Sequence, residues 1–421
     1  MILHYKTKYY FQYQTMAANK GTIDSDILDI ILNKDIDPDE NYLAYGAIKD
    51  FKNTPIYSTH KFNDFFSKLN NGNNALGLTM LNLNVRSLLK NINEMQLMLH
   101  ELLCPFHIIS LQETWLTQEA NSFDQIKLKL EGYNFINIPR KNAVGGGVGY
   151  YLRSEIAYKR RIELCSTSDD LEMMTIEIIN EKSKNIIISN IYRPPKGKLV
   201  PFKDSLSQVI NQAECESKPI YLLGDFNLNL LDYATEPNVR EFVNMMYGNM
   251  LLPAINKPTR ITLKASTCID NIFVKTNFQD KLHAGIIAVH INDNLPQFLI
   301  VESFSLPSIP KRVSIVKRHV TNEQISLMKD RLSNTSWNRV SQGHNIDEAY
   351  SAFIDEFSYL YEELFPMTKT VVKTKTLLNK WMNKKLVTMS RKKQRLYIRF
   401  VKHRTYASEV AYQKCKKEFE K

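Results

Sequence analysis

The sequence predicts a mixed α/β fold followed by a helical, basic C-terminal arm. Between Leu76 and about residue 305, short apolar runs alternate with amphipathic stretches, the two periods expected of strands and helices. Strand-like runs outnumber helical ones, and several adjoin with no helix between them, so the sheet is mixed rather than doubly wound. After Pro310 the pattern becomes long and helical. At 421 residues, 43% hydrophobic and 24% charged, the chain can fill a sizeable core and about two to three domains.

Residues 1–75 read as a leader and linker, partly disordered, with seven acidic residues between Asp24 and Glu40, a short helix over Ile27 to Leu32, and turn chemistry from Asn70 to Asn74. Residues 76–305 hold the α/β domain. Thr79 to Val85 is a strand, Ile92 to Leu103 a helix with Ile92, Met95 and Leu99 on its apolar face, and His107 to Leu111 the next strand. Further strands are expected over Val148 to Leu152, Met173 to Ile179, Ile186 to Tyr192, Ile220 to Leu223, Ile269 to Val274, Gly285 to Ile291 and Phe298 to Phe304. Helices are expected over Phe202 to Cys215 and Val239 to Tyr247. Residues 306–421 form the arm, with helices over Asn322 to Leu332 and Ile346 to Phe365, and one or two more beyond Thr376, since no proline follows Pro366.

Five scattered cysteines, odd in number and without a C-x-x-C pair, argue against a disulfide framework or a zinc site. No apolar run reaches the 18 or so residues of a membrane span, and Met1 to Met16 is too polar for a signal-peptide core. An intracellular protein, nuclear or cytoplasmic, is expected. The net charge of +11 is concentrated: residues 368–421 carry 17 Lys and Arg against three Glu. Lys392, Lys393 and Arg395 lie in the densest part, interleaved with Trp381, Tyr397, Phe400, Tyr406 and Tyr412. Such a segment predicts a sequence-independent, salt-sensitive contact with RNA or DNA. Its aromatic and basic positions do not separate into one apolar face, which disfavours a membrane-surface helix.

Three polar clusters end apolar strands. Leu81 to Ser87 puts Asn84 at a strand end, where a turn or helix cap is its commonest use. Ile108 to Trp115 ends a buried strand in Glu113, either a solvated loop residue or a carboxylate suited to Mg²⁺. Ile220 to Asn227 runs into Gly-Asp-Phe-Asn, and in an extended segment Asp225 and Asn227 would point the same way. A carboxylate that can deprotonate water, beside an amide that can hold an oxygen, suits a phosphodiester, while an Asx-turn explains the same tetrapeptide structurally. The run Gly145 to Gly149 does not open a helix and reads as close backbone passage at a strand start. Arg86 and Arg193 suit either DNA-backbone contacts or surface ion pairs.

These clusters occur in order with Ile191-Tyr192-Arg193-Pro194-Pro195, Lys257 to Thr262, Ser266 to Ile272 and Asn292-Asp293-Asn294. In that order they resemble the endonuclease/exonuclease/phosphatase superfamily, specifically the apurinic-type endonuclease of LINE-like (non-LTR) retrotransposons, across residues 76–305. The resemblance implies a four-layer sandwich of two packed mixed β-sheets flanked by helices. It implies metal-dependent nicking of DNA, with Mg²⁺ or Mn²⁺ as cofactor. By motif, Glu113 would bind the metal with Asn84 close by, and Tyr192 and Asn227 would contact the scissile phosphate. Asp225 would activate water, Asp293 would complete the acidic site, and Asp270 would orient a catalytic histidine. The arm then looks like the connector that precedes a reverse transcriptase. No Tyr-x-Asp-Asp-like polymerase signature occurs before Lys421, so a truncated element-derived protein is expected.

The family pattern Ser-Asp-His is Asn292-Asp293-Asn294 here. Asparagine donates a hydrogen bond but does not titrate near neutral pH. General acid-base contributions of about 10²- to 10⁴-fold set the expected loss in nicking. His290 and His283 lie too far back along the chain to replace it. The alternative reading is therefore a catalytically inactive nucleic-acid-binding protein derived from a retrotransposon. A phosphatase of small phosphoesters or lipids is disfavoured by Gln112 to Leu116, Tyr192 to Pro195 and the basic arm.

Overall fold

The computed structural model describes residues 54–70, 77–117, 126–140, 145–180, 184–275, 281–302, 304, 312–373 and 383–419. Most of the expected leader, its helix over 27–32, and Trp381 lie outside them. The chain divides into two compact units, Met1–Leu306 with Met389–Lys421, and Pro307–Thr388.

The first unit contains strands β1 (Ile56–Tyr57), β2 (Leu78–Asn84), β3 (Ile108–Gln112), β4 (Tyr133–Ile138), β5 (Val148–Arg153), β6 (Tyr158–Arg160), β7 (Ser166–Thr167), β8 (Glu172–Ile178), β9 (Ile186–Tyr192) and β10 (Ile220–Asp225). They are followed by β11 (Leu252–Pro253), β12 (Arg260–Ile261), β13 (Ser266–Thr267), β14 (Asp270–Lys275), β15 (Leu282–Ile287) and β16 (Gln297–Val301). One sheet has the order β1-β15-β16-β2-β3-β5-β4; the other has β11-β14-β10-β9-β8-β6, with β7 also paired to β8. Both are mixed. The parallel pairs β2/β3 and β9/β10 are each joined by a crossover helix, Leu88–Glu101 and Leu199–Glu214, as parallel neighbours require.

Alternation along the strands makes four layers. Leu78, Met80, Ile108, Leu299 and Val301 of one sheet meet Ile186, Ile188, Tyr221, Leu223, Ile272 and Val274 of the other in the inter-sheet core. The outward residues of the first sheet, among them Leu81, Leu83, Ile109, Leu111 and Phe298, pack on helices Thr59–Asn70 and Leu88–Glu101. Those of the second, including Ile187, Ile191, Ile220, Leu222 and Phe273, pack on Leu199–Glu214 and Pro237–Gly248. The expected sandwich of two packed mixed sheets flanked by helices is what forms.

The inward-facing series carries a polarity gradient. Along β2 it runs Leu78, Met80, Asn82, Asn84; along β9, Ile186, Ile188, Asn190, Tyr192; along β10, Tyr221, Leu223, Asp225. Apolar residues fill one end of the layer, amides the middle, and acids and a phenol the other end. The amides satisfy one another across the sheets: Asn82 Nδ2 donates to Gln297 Oε1 (2.7 Å), and Gln112 Nε2 to Asn82 Oδ1 (2.9 Å) and Asn190 Oδ1 (2.6 Å). These cross-sheet amide bonds fix which residues face each other, since a slip would leave further buried groups unsatisfied, as Gln112 Oε1 already is.

Three placements differ from the sequence expectation. Within the expected leader and linker, β1 pairs with β15, and helix Thr59–Asn70 buries Phe62 against Phe298 and Phe66 against Phe62. Its helical period, Phe62, Phe65 or Phe66, Leu69, is broken up by polar neighbours that mask it in sequence. Edge strand β4 was also not anticipated, because an edge strand is only half buried and its alternation is weak. Finally, the end of the expected arm returns to the first unit. Tyr397, Phe400 and Tyr412, from helices Lys384–His403 and Tyr406–Phe419, join Ile255, Ile261, Cys268, Ile286 and Leu295 in one buried cluster.

The second unit pairs β17 (Arg312–Arg318) antiparallel with β18 (Met367–Lys373), around helices Asn322–Asn334 and Ile346–Leu364. Both helices were expected; the strand pair was not. Thr321 and Gln324 close a capping box, and Asn345 caps the second helix by accepting from Glu348 N at 2.8 Å. The buried apolar core here is small, Met328, Leu360 and Phe365.

Candidate active site

Strand register builds the site before any side chain is considered. Asp225, last in β10, stands opposite Tyr192 of β9 on one side and Asp270 of β14 on the other. In the facing sheet, Asn84, last in β2, stands opposite Gln112 of β3, and Glu113 follows. Gly224 is what permits this register: a Cβ there would lie 2.1 Å from the Ile191 carbonyl oxygen. No other residue lets β9 and β10 approach so closely.

Asn84 joins the two sheets. Its Nδ2 donates to Glu113 Oε1 and to Asp225 Oδ2, both at 2.7 Å. Asp225 is 1% exposed, and its Oδ1 accepts from Asn227 N at 2.9 Å. Burial, and then the charge of Glu113, push its carboxyl up to about 7, against the pull of the Asn84 and Asn227 hydrogen bonds. Asp270 is fully buried and also raised, by burial first and then by the charge of Asp225. Burial likewise raises the Tyr192 phenol, helped by Glu113 and Asp225, so its hydroxyl stays protonated. The Arg140 guanidinium lies 5.6 Å from the centre of that ring.

Asp270 holds a second group of contacts. Thr259 Oγ1 donates to its Oδ2 at 2.8 Å and Asn294 Nδ2 to its Oδ1 at 3.1 Å. Asn294 is therefore seated on the carboxylate expected to orient a histidine, and Asn292 Oδ1 accepts from its backbone N–H at 2.7 Å. Asp293 does not join this buried group; it stands at the rim, half exposed, with Arg86 Nη1 3.0 Å from its Oδ2. Arg86 thus takes the ion-pair role.

The loops around these residues are held in costly conformations. Among the described residues eight non-glycines have positive φ, and five of them border the site: Arg86 (43°), Ser87 (76°), Glu113 (53°), Trp115 (54°) and Asn227 (48°). Hydrogen bonds from Ser87 N to Glu113 O (2.8 Å), Thr114 N to Gly147 O (3.1 Å) and Trp115 N to Gly146 O (2.8 Å) keep them there. Gly147, at φ +83°, passes so close to Thr114 that a Cβ would lie 2.6 Å from its Oγ1. The glycine run therefore serves close backbone passage, as expected.

Three sequence expectations are corrected here, and two residues are added. The extended geometry stops at Asp225: Asn227 lies in the left-handed region, and the Asp225 to Asn227 N bond is an Asx-turn. Asn227 Nδ2 donates to Arg193 O at 2.8 Å. Arg193 is 7% exposed, and its guanidinium donates to the carbonyls of Phe226 (2.7 Å), Gly197 (2.8 Å) and Asn227 (2.8 Å). It clamps the loop and has no face left for a DNA backbone. Lys393 is 1% exposed, ion-paired with Glu94 and 4.4 Å from the Phe419 ring centre, so it is a packing lysine, whereas its neighbours Lys392 and Arg395 are exposed. Thr259 and Arg260 belong to the site although the sequence offered them only as part of a family-like stretch.

The donors on either side of Asn84 are the Glu113 and Asp225 carboxylates; Asn84 turns its Nδ2 to both, while its Oδ1 accepts from Arg86 N at 3.1 Å. Among the described residues there is no cluster of three or more His, Cys, Asp or Glu suited to a metal. One or two carboxylates with water completing the shell is the arrangement Mg²⁺ takes.

The endonuclease/exonuclease/phosphatase family model matches residues 70–290, more than half of the chain. Among solved structures, the chain resembles the endonuclease domain of TRAS1, a telomere-specific non-LTR retrotransposon, at 11% identity and TM-score 0.42, over 54% of this chain and 98% of that one. It resembles the AP endonuclease LMAP from Leishmania major at 14% and 0.48, over 68% and 100%. The catalytic domain of Xenopus laevis APE2 matches at 16% and 0.43, over 55% and 94%. No curated protein matches the chain. Among the described residues, no helix is long and apolar enough to cross a membrane. With two mixed sheets packed face to face and Asp225, Tyr192 and Asp270 aligned across three strands at one end, the chain belongs to the endonuclease/exonuclease/phosphatase family.

Proposed function

We propose that this protein is a divalent-metal-dependent DNA endonuclease that nicks one strand for the priming of reverse transcription, its rate lowered by Asn294. One observation carries the reading: Asp225, a buried acid with a pKa near neutrality, is bonded through Asn84 to Glu113 and aligned in register with Tyr192 and Asp270. A general base works best with its pKa near the working pH.

Glu113, with Asn84 close by, would hold Mg²⁺ or Mn²⁺, which when bound supplies positive charge against the phosphate. Asp225, fixed by Asn84 and Asn227, accepts the proton of the attacking water. Tyr192, kept protonated, donates to a phosphate oxygen. Asn227 spends one amide hydrogen on Arg193 O and has the other for the phosphate. Asn294 is neutral, so it neither carries positive charge nor returns a proton to the leaving 3′-oxygen. Exposed Lys392 and Arg395 would contact the nucleic-acid backbone.

The test is Mg²⁺-dependent nicking of supercoiled plasmid by the purified protein beside Glu113→Ala and Asn294→His. Nicking that disappears in Glu113→Ala supports the reading. Duplex binding without nicking, in the parent and in Asn294→His alike, would sink it and favour the second reading, a nucleic-acid-binding protein on a nuclease fold. The neutral amide on Asp270 is the observation that keeps that second reading in play.

A further inference from the structure

The site gathers negative charge: Glu113, Asp225, Asp270 and Asp293 surround the place where a phosphodiester would add more. Arg140 at the Tyr192 ring is paired with Glu172, and two further guanidinium groups, Arg86 and Arg260, are placed differently from each other. Arg86 is committed to Asp293 at 3.0 Å. Arg260 is anchored by its backbone, which forms a bridge with Asn294, while Leu295 N donates to the adjoining Thr259 O at 2.7 Å. Thr259 is itself bonded to Asp270. The Arg260 Nη2 comes only within 3.9 Å of Asp293 Oδ2, and 43% of the side chain is exposed. Its Nε is buried with no hydrogen-bond partner, and its charge reaches Asp225, where it favours the ionised carboxylate. A cation fixed beside Asn294, facing the base and holding unused donors, has the chemistry that a phosphate selects.

We infer that Arg260 is the scissile-phosphate cation of this site, supplying beside Asn294 the positive charge that the asparagine lacks. The inference rests on the phosphodiesterase reading above and adds a residue that reading does not use. Arginine holds its proton throughout, so Arg260 stabilises charge on the phosphate oxygens while the leaving oxygen takes its proton from water. A histidine at position 294 would supply the same charge and make Arg260 partly redundant.

Two measurements test this, each on the full chain, with melting curves confirming that the variants fold. The first is binding of a short fluorescein-labelled DNA duplex in EDTA across a salt series. Arg260→Met is expected to reduce the slope of log affinity against log salt by about one, and Arg260→Lys to restore it. The second is plasmid nicking in Mg²⁺. Arg260→Met is expected to lower the rate about 10²-fold in the parent and less than about 10-fold in the Asn294→His background. An unchanged slope, or equal losses in both backgrounds, overturns the inference while leaving the nuclease reading intact. A parent that neither binds the duplex nor nicks overturns both.

Discussion

Strands β2 and β3 bury polar groups at both ends, and the two ends behave in opposite ways. At one end Thr79 and His107 satisfy each other: His107 Nδ1 accepts from Thr79 N at 3.1 Å and lies 2.7 Å from Thr79 Oγ1, and His107 N donates to Thr79 Oγ1 at 3.0 Å. Burial, and then the charge of Arg153, lower the imidazole to about 4, so it is neutral. At the other end Asn84 holds Glu113 and Asp225 together, and burial raises Asp225 to about 7. One end titrates as stability. The other keeps two acids close together, at a cost to stability that protonation of Asp225 or a bound cation relieves.

The sharpest way to break this comparison is Asp225→Asn, which is expected to lower plasmid nicking by about 10³-fold while leaving the fold at least as stable. The sign follows from linkage: between pH 3.8 and about 7 the folded state holds the proton more tightly than the unfolded state, so Asp225 costs stability as pH rises through that window. In EDTA the variant should gain more in melting temperature at pH 8 than at pH 5; a loss at both would mean that the acid is structurally required.

The opposite end predicts the reverse profile. His107 titrates lower in the folded state, so stability should fall by about 3 kcal/mol as pH drops from 6.5 through 4, read by urea melts, and His107→Gln should flatten that slope without affecting nicking. Neighbouring lysines in the C-terminal helix extend the contrast between buried and exposed charge. Lys393→Ala strands Glu94 and should cost about 3 kcal/mol of stability, a result readable by denaturant midpoint. Asn294→His should raise nicking about 10²-fold and introduce an acid limb near pH 6 to 7 in the rate profile. The smallest effect is expected at exposed Lys392, where alanine should leave melting unchanged and reduce the salt slope of DNA binding by about one.

The sandwich was legible because its strands are buried on both faces and read as apolar runs, and their polar exceptions stand out. Asn84, Glu113 and Asp225 were found for that reason. What sequence could not convey is where alternation stops. Asp225 closes β10, and the chain turns at Asn227, so a period-2 argument failed two residues too late. Charge was misread in the same manner: Arg193 and Lys393 sit in basic or polar contexts, and only packing shows that carbonyls surround the first and Glu94 the second. Thr259 and Arg260 were missed because nothing local marks them; their place is set by a backbone bridge to residue 294.

The return of residues 389–421 to the first unit has a consequence for how the molecule is made. Ile255, Ile261, Ile286 and Leu295 are synthesised well before Tyr397, Phe400 and Tyr412, which cover them. Roughly a hundred residues separate the end of β16 from Tyr412, and at about 5 to 20 residues per second the ribosome needs on the order of ten seconds to supply them. Until they arrive, Ile255, Ile261, Ile286 and Leu295, with Cys268 among them, lack the aromatic residues that complete their cluster.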